Sequence, residues 1–213
     1  MTDTDTITLF HSPQSRSSGA LTLLEELGAP YQLHVLNMKA GEQRRPEYLA
    51  INPLGKVPAI LHRGELITEQ VAIFIYLADL FPAAGLAPII GDTRRGVYLR
   101  WLIYYASCYE PALVDRAMQR EPAPHATSPY GTFDTMLETI LRQIRDQPYL
   151  LGDTISAADI LWGNALNWGV MFKLVPEDKA VTDYVARIVQ RPAAIKVASM
   201  DSELAAEHQK ALG

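Results

Sequence analysis

The chain has 213 residues, enough for two modest domains. Hydrophobic residues make up 48% and charged residues 20%, which excludes a disordered or fibrous class. A net charge of -5 gives no general attraction for a phosphate backbone, so nucleic-acid partners are not expected.

The one cysteine, Cys108, excludes an internal disulfide and a multi-cysteine metal site, and no metal is expected. The acidic start Met1-Thr-Asp-Thr-Asp-Thr has no apolar run and does not read as a secretory signal. Other apolar stretches are short or broken by charge, so no membrane span is expected and a cytoplasmic location is the default.

In chain order, Ile7–Phe10 reads as a short strand. It ends in the turn-rich run His11-Ser-Pro-Gln-Ser-Arg-Ser-Ser18. A helix follows with Leu21, Leu24 and Leu27 on one face, stopped by Gly28 and Pro30. Tyr31–Leu36 reads as a second strand, Lys39–Arg45 as a charged loop, and Pro46-Glu-Tyr-Leu as one helical turn. After the turn formers of Asn52-Pro-Leu-Gly-Lys-Val-Pro58, the runs Ala59–His62 and Glu65–Ile67 form a hairpin about Arg63-Gly64. Thr68-Glu-Gln opens an amphipathic helix with Ile73, Leu77 and Leu80 on one face. The order is β-α-β-loop-β-β-α, with a parallel crossover first and a tight turn last.

Pro82-Ala-Ala-Gly-Leu-Ala-Pro88 reads as a linker, and everything after it has helical period. One long helix is expected over Arg94–Met118, kinked or broken near Pro111. Others are expected over Tyr130–Asp146, Ala157–Phe172 and Asp178–Gln190, with Pro192 in the first turn of a last one. Thr154-Ile-Ser156-Ala-Ala-Asp159-Ile is a capping signal, Ser156 capping a helix start and Asp159 returning the bond. The domains are therefore 1–84, a linker over 85–92, and 93–213.

Val57-Pro58 lies between a turn-rich loop and a strand. A cis bond there would turn the chain and present the N–H and C=O of Val57 to an extended peptide. A trans proline starting a strand is the alternative, and base rates favour it. Asn52-Pro-x-Gly-Lys-Val-Pro58-Ala, followed by Thr68-Glu69-Gln70-x-Ala-Ile, resembles the glutathione-site signature of cytosolic glutathione transferases. The resemblance extends over nearly the whole chain, including the linker and the Ser-x-x-Asp box. It implies a thioredoxin-like α/β N-terminal domain and an all-α C-terminal helical bundle. It also implies a homodimer and a function in conjugating glutathione, as co-substrate, to a small hydrophobic electrophile, with no permanently bound cofactor. Glutathione-dependent lyase, isomerase or peroxidase chemistry is the alternative enzyme reading. A non-catalytic binding or regulatory protein on the same fold is the alternative class.

By that resemblance Pro58 is cis and Val57 holds the cysteinyl backbone of glutathione. Glu69, at a helix start, would pair with the γ-glutamyl ammonium while Gln70 and helix amides take its carboxylate. The family commonly has serine where Gln70 stands. Lys39 and Lys56 are candidates for the glycine carboxylate. In the loop after the first strand, Arg16 stands where the cysteine-using bacterial class has its cysteine, and His11 where that class has tyrosine. This chain therefore lies outside that class. Ser15 is the first choice as thiol-activating hydroxyl; Ser12, Ser17 and backbone amides remain alternatives, Ser17 as a possible helix N-cap. Arg16 would add positive field. In the helical half, Tyr105, Cys108 and Tyr109 would line the electrophile pocket. Ordinary core packing is the competing account of these three, Cys108 as an apolar filler.

Overall fold

A computed structural model of the chain describes residues 6–121 and 123–211. The acidic N-terminal segment of residues 1–5, read above as no secretory signal, lies outside the described residues. The chain divides into two compact units, one of Met1–Ala84 with Arg191–Gly213 and one of Gly85–Gln190.

The first unit is built on a four-stranded sheet in the order β2-β1-β3-β4. The strands are β1 (Ile7–His11), β2 (Tyr31–Val35), β3 (Ala59–His62) and β4 (Glu65–Ile67). β1 pairs parallel with β2 and antiparallel with β3, and β3 closes the hairpin with β4. The parallel step needs a crossover, which α1 (Ser17–Leu27) supplies. Its Leu21, Leu24 and Leu27 are buried as their spacing predicts. It stops at Gly28, whose φ of 62° is the left-handed turn that glycine adopts without a Cβ penalty. Across the sheet, Phe10, Leu36, Tyr48 and Ala59 form a second apolar cluster, against which Ile51, Val57 and Leu61 pack. Tyr48 comes from the single helical turn α2 (Pro46–Leu49). α3 (Gln70–Leu80) buries Ile73 and Leu77 fully.

In the second unit the expected long helix is three pieces: α4 (Arg94–Tyr104), a π-helical stretch Tyr105–Tyr109, and α5 (Glu110–Ala117). The cause is Pro111 in the first turn of α5. Proline has no N–H for the preceding turn and its ring crowds the carbonyl there. The wider turn accommodates this, with the Glu110 N–H reaching back to the Tyr105 carbonyl. Then come α6 (Phe133–Asp146), α7 (Ala157–Met171) and α8 (Lys179–Val189). Their core is aromatic: Tyr98, Trp101, Tyr109, Trp162 and Tyr184 are almost wholly buried. α7 and α8 touch at Gly163, where a Cβ would come within 2.5 Å of Ile188.

The Ser156–Asp159 box is present at the start of α7. The Ser156 N–H and hydroxyl both donate to Asp159 Oδ2 at 2.8 Å. Oδ1 takes two more bonds, from the Leu150 N–H at 2.7 Å and the Tyr184 hydroxyl at 2.9 Å. Burial still holds this carboxyl above the ordinary carboxylate range.

The last helix, α9 (Pro192–Lys210), corrects the expected domain division. Sequence periodicity placed it with the helical half, in 93–213, but it packs on α1 in the first unit. Arg191 makes a two-pronged ion pair with Glu26 at 2.7 and 2.6 Å, and Lys196 pairs with Glu25. Periodicity reports that a segment is helical. It says nothing about which surface the helix covers. Among the described residues, no helix is long and apolar enough to cross a membrane.

Candidate active site

Parallel pairing brings the C-terminal ends of β1 and β2 to one edge of the sheet, so the loops of Ser12–Arg16 and Lys39 leave from the same side. Antiparallel pairing of β1 with β3 puts Ala59 opposite Phe10, which carries Val57-Pro58 to that edge beside His11. The Val57–Pro58 bond is cis. The preceding carbonyl, of Lys56, is held by the Tyr48 hydroxyl at 2.7 Å and the Asn52 amide at 2.9 Å. Gly55 sets this loop close to its neighbours: its φ is +59°, and a Cβ would sit 2.5 Å from the Gln43 carbonyl. Among the described residues, no protein group pairs with the N–H or C=O of half-buried Val57. An extended peptide laid along this edge can take both.

Glu69, immediately before α3, has φ 62° and ψ 112°. A non-glycine residue in such a conformation costs on the order of 1–3 kcal/mol and persists only where the surroundings impose it. The strain turns an exposed carboxylate out beside the start of α3. The next residue, Gln70, ties this helix to the loop after β1: its side-chain amide donates to the Arg16 carbonyl at 3.0 Å. Lys39 and Lys56 are exposed, Lys39 reaching Gln209 of α9 at 3.3 Å. Arg16 is exposed as well and brings a third cation to this edge.

The three serines are linked but not equivalent. Ser17 is fully buried and Ser12 nearly so, whereas Ser15 is partly exposed. Ser15 Oγ lies 2.7 Å from the Ser12 carbonyl and 2.7 Å from Ser17 Oγ. The reading of Ser17 as an N-cap is corrected. Ser17 is the first residue of α1, and its own N–H donates to Ser15 Oγ at 3.2 Å. Its hydroxyl accepts the Ser12 N–H at 3.0 Å and lies 2.9 Å from His11 Nδ1. The amides of Ser12, Gln14, Ser17, Ser18 and Gly19 all have partners within the unit, which leaves few of them for a ligand.

Two family models match the chain, described as the glutathione S-transferase N-terminal domain, over residues 5–79, and C-terminal domain, over residues 113–192. The chain belongs to the glutathione S-transferase family. It is 30% identical over 203 residues to the disulfide-bond oxidoreductase YfcG of Escherichia coli, a match covering 88% of this chain and 92% of that one. It is 27% identical over 187 residues to the glutathione S-transferase GstA of Escherichia coli O157:H7, covering 86% and 93%. Among solved structures, a sphingomonad glutathione S-transferase complexed with glutathione matches with a TM-score of 0.75 at 27% identity, over 92% of this chain and 98% of that one.

In this member of the family, the helical unit treats the three proposed pocket residues differently. Tyr105 and Tyr109 are buried, stacked with ring centroids 5.9 Å apart and both against Trp162. The Tyr109 hydroxyl donates to the Ala165 carbonyl at 3.1 Å. Both tyrosines therefore form core and do not line an open pocket, a correction to the expectation. Cys108 is half-exposed. A cleft of about 530 Å³ between α4 and α6 is lined by Arg100, Arg142, Asp134, Glu138 and Asp146 together with Trp101, and none of the three proposed pocket residues lines it.

Two residues of the site were missed by sequence reasoning in any chemical role: His11, noted only as a replacement for tyrosine, and Asp201. Asp201 Oδ2 accepts from the Gln14 N–H at 2.9 Å and the Ser18 hydroxyl at 2.5 Å. Oδ1 lies 3.0 Å from His11 Nε2. Burial pushes the Asp201 carboxyl up, but the close approach of His11 and the bonds from Ser18 and Gln14 prevail and hold it below the usual range. An aspartate in the middle of a distant helix gives no local signal of such a contact.

Proposed function

We propose that this protein is a glutathione transferase in which Ser15 stabilises the thiolate of bound glutathione for attack on a small electrophile. The observation that carries the reading is the contrast among the serines: Ser15 alone combines partial exposure with a place among fixed partners at the start of α1. A thiol with pKa near ~8.5 is only a few per cent ionised at neutral pH. Lowering it by about two units requires roughly 2.7 kcal/mol of preference for the thiolate. One charge-assisted hydrogen bond contributes about 1.5–3 kcal/mol, and the positive end of α1 adds to it.

In the same reading, Val57 pairs with the cysteinyl backbone across the cis-Pro58 edge, and Glu69 takes the γ-glutamyl ammonium. Gln70 supports the γ-glutamyl carboxylate, Lys39 and Lys56 attract the glycine carboxylate, and Arg16 adds positive field. Cys108 is the one proposed pocket residue exposed enough to touch an electrophile. The working form is a cytoplasmic homodimer, favoured by the exposed apolar residues Val97 and Ile103 on α4 and testable by light scattering.

The test is Ser15→Ala. The pH midpoint of conjugation should rise by one to two units (about 1.4–2.7 kcal/mol) with glutathione affinity nearly intact. An unchanged pH profile removes Ser15 from the mechanism.

The relative named a disulfide-bond oxidoreductase favours a second reading, glutathione-dependent reduction of a disulfide. Arg16 occupies the cysteine position of the cysteine-using class, so the glutathione thiolate itself would be the attacking thiol. Turnover of a small disulfide faster than of any model electrophile would select this reading.

A further inference from the structure

Behind Ser15 a chain of close polar contacts runs inward and ends on a buried carboxylate. Ser15 Oγ is 2.7 Å from Ser17 Oγ, Ser17 Oγ is 2.9 Å from His11 Nδ1, and His11 Nε2 is 3.0 Å from Asp201 Oδ1. His11 and Ser17 are both 0% exposed. The last contact is close without being aligned along the ring N–H, and neither of its atoms has another hydrogen-bond partner.

The proton positions follow from the partners. A carboxylate only accepts, so the ring nitrogen facing Asp201 carries the hydrogen. In the neutral imidazole, Nδ1 is then the acceptor. The single Ser17 proton has two acceptors in reach, His11 Nδ1 at 2.9 Å and the Ser12 carbonyl at 3.1 Å, and the shorter contact is to the ring; Ser17 Oγ meanwhile accepts the Ser12 N–H. With that proton on the ring, the single Ser15 proton goes either to the Ser12 carbonyl or to Ser17 Oγ, each 2.7 Å away. Both acceptors belong to buried residues, and when Ser15 turns to Ser17 the O–H groups line up toward His11. A Ser15 hydroxyl aimed inward cannot donate to a thiolate. It can, however, accept from a thiol.

We propose that His11 and Asp201 form a buried dyad that takes up the thiol proton of glutathione through Ser15 and Ser17. The inference rests on Ser15 being the group that meets the thiol. The S–H proton passes to Ser15 Oγ, the Ser15 proton to Ser17 Oγ, and the Ser17 proton to His11 Nδ1. No other bond changes and no external base is needed. The products are a thiolate that accepts the reversed Ser15 hydroxyl and an imidazolium facing the Asp201 carboxylate. His11 acts through two hydroxyls, so it is a positioning residue with the capacity to hold a proton.

Two features of the geometry stabilise the products. The imidazolium is made next to an anion that the Gln14 N–H and Ser18 hydroxyl hold in place, and the thiolate is made at the N-terminal end of α1. Asp201, from α9, is the ionisable group facing the ring. α1 presents the Ser17 hydroxyl, and β2 presents Val35 across the strand pairing.

The decisive measurement is proton release when glutathione binds at neutral pH in weak buffer with an indicator dye, read beside the ultraviolet absorbance of the thiolate. The wild type should form thiolate while releasing close to no proton per site, because the proton stays on His11. In His11→Asn, which keeps a polar partner for Ser17 but holds no proton, each thiolate formed should release about one proton. Asp201→Asn should lower the thiolate fraction at neutral pH about tenfold while remaining folded, though less stable than wild type, and it covers the case in which His11→Asn does not fold. Thiolate with a full proton released by the wild type would overturn the relay and leave the Ser15 reading standing. An undiminished thiolate signal in folded Asp201→Asn would do the same. Absence of thiolate from the wild type would remove both.

Discussion

Truncating Asp159 to alanine measures how far the helical unit depends on one carboxylate. The side chain is 0% exposed and accepts four bonds at 2.7–2.9 Å, two from the backbone N–H groups of Leu150 and Ser156 and two from the hydroxyls of Ser156 and Tyr184. Alanine leaves all four donors facing a small void. A buried donor without a partner costs about 1–3 kcal/mol. The two backbone N–H groups cannot turn away as hydroxyls can, so they set the cost at roughly 2–6 kcal/mol. Removing a carboxylate that burial already disfavours returns part of this. The expected loss is therefore about 3–4 kcal/mol, on the order of a 10 °C fall in melting temperature. Ser156→Ala removes one donor and leaves the carboxylate three others, so it should cost only about 1 kcal/mol. Urea unfolding followed by tryptophan fluorescence measures both, since Trp101 and Trp162 lie in the same unit. Equal losses for the two variants, or less than about 1 kcal/mol for Asp159→Ala, would refute the account of Asp159 as the hub.

Two further outcomes follow from the packing and from the charge of Asp201. Gly163→Ala places a Cβ 2.5 Å from Ile188, so α7 and α8 must separate; a loss of about 1–3 kcal/mol in denaturant unfolding is expected, and no loss would show that the helices part freely. The folded carboxyl of Asp201 lies below its ordinary value, so the stability it supplies is complete above pH ~4 and disappears as pH falls through the depressed folded value. The stability gap between wild type and Asp201→Asn should accordingly narrow under acid, and a gap that stays constant from neutral to acid pH would contradict the linkage.

Most of the fold was legible because it follows from local chemistry. The strand and helix order of residues 7–80 came from alternation, from leucine spacing and from stops such as Gly28. The box at Ser156 and Asp159 came from capping chemistry. The edge at Val57, Pro58, Glu69 and Gln70, proposed to hold glutathione, was marked by a motif; the strain at Glu69 has no sequence signature of its own. Pro111 announced a break but not its form, because a wider turn and a kink remove the same N–H. Choosing among Ser12, Ser15 and Ser17 needed burial, which three neighbouring serines in one loop do not reveal. His11 and Asp201 stayed hidden because their meeting depends on how a late helix packs on an early one.

The return of α9 to the first unit makes that unit discontinuous, with Gly85–Gln190 inserted within it. On a ribosome, Gln14 precedes its acceptor Asp201 by 187 residues, roughly 10–40 s of synthesis. Throughout that interval Glu26 and the His11 ring have no counter-group from α9. The loop of Ser12–Arg16 therefore gains its inner support from Asp201 only after everything between has been made. Activity should therefore appear late in biogenesis, and a chain stalled before Asp201 would carry a shaped but chemically incomplete cleft.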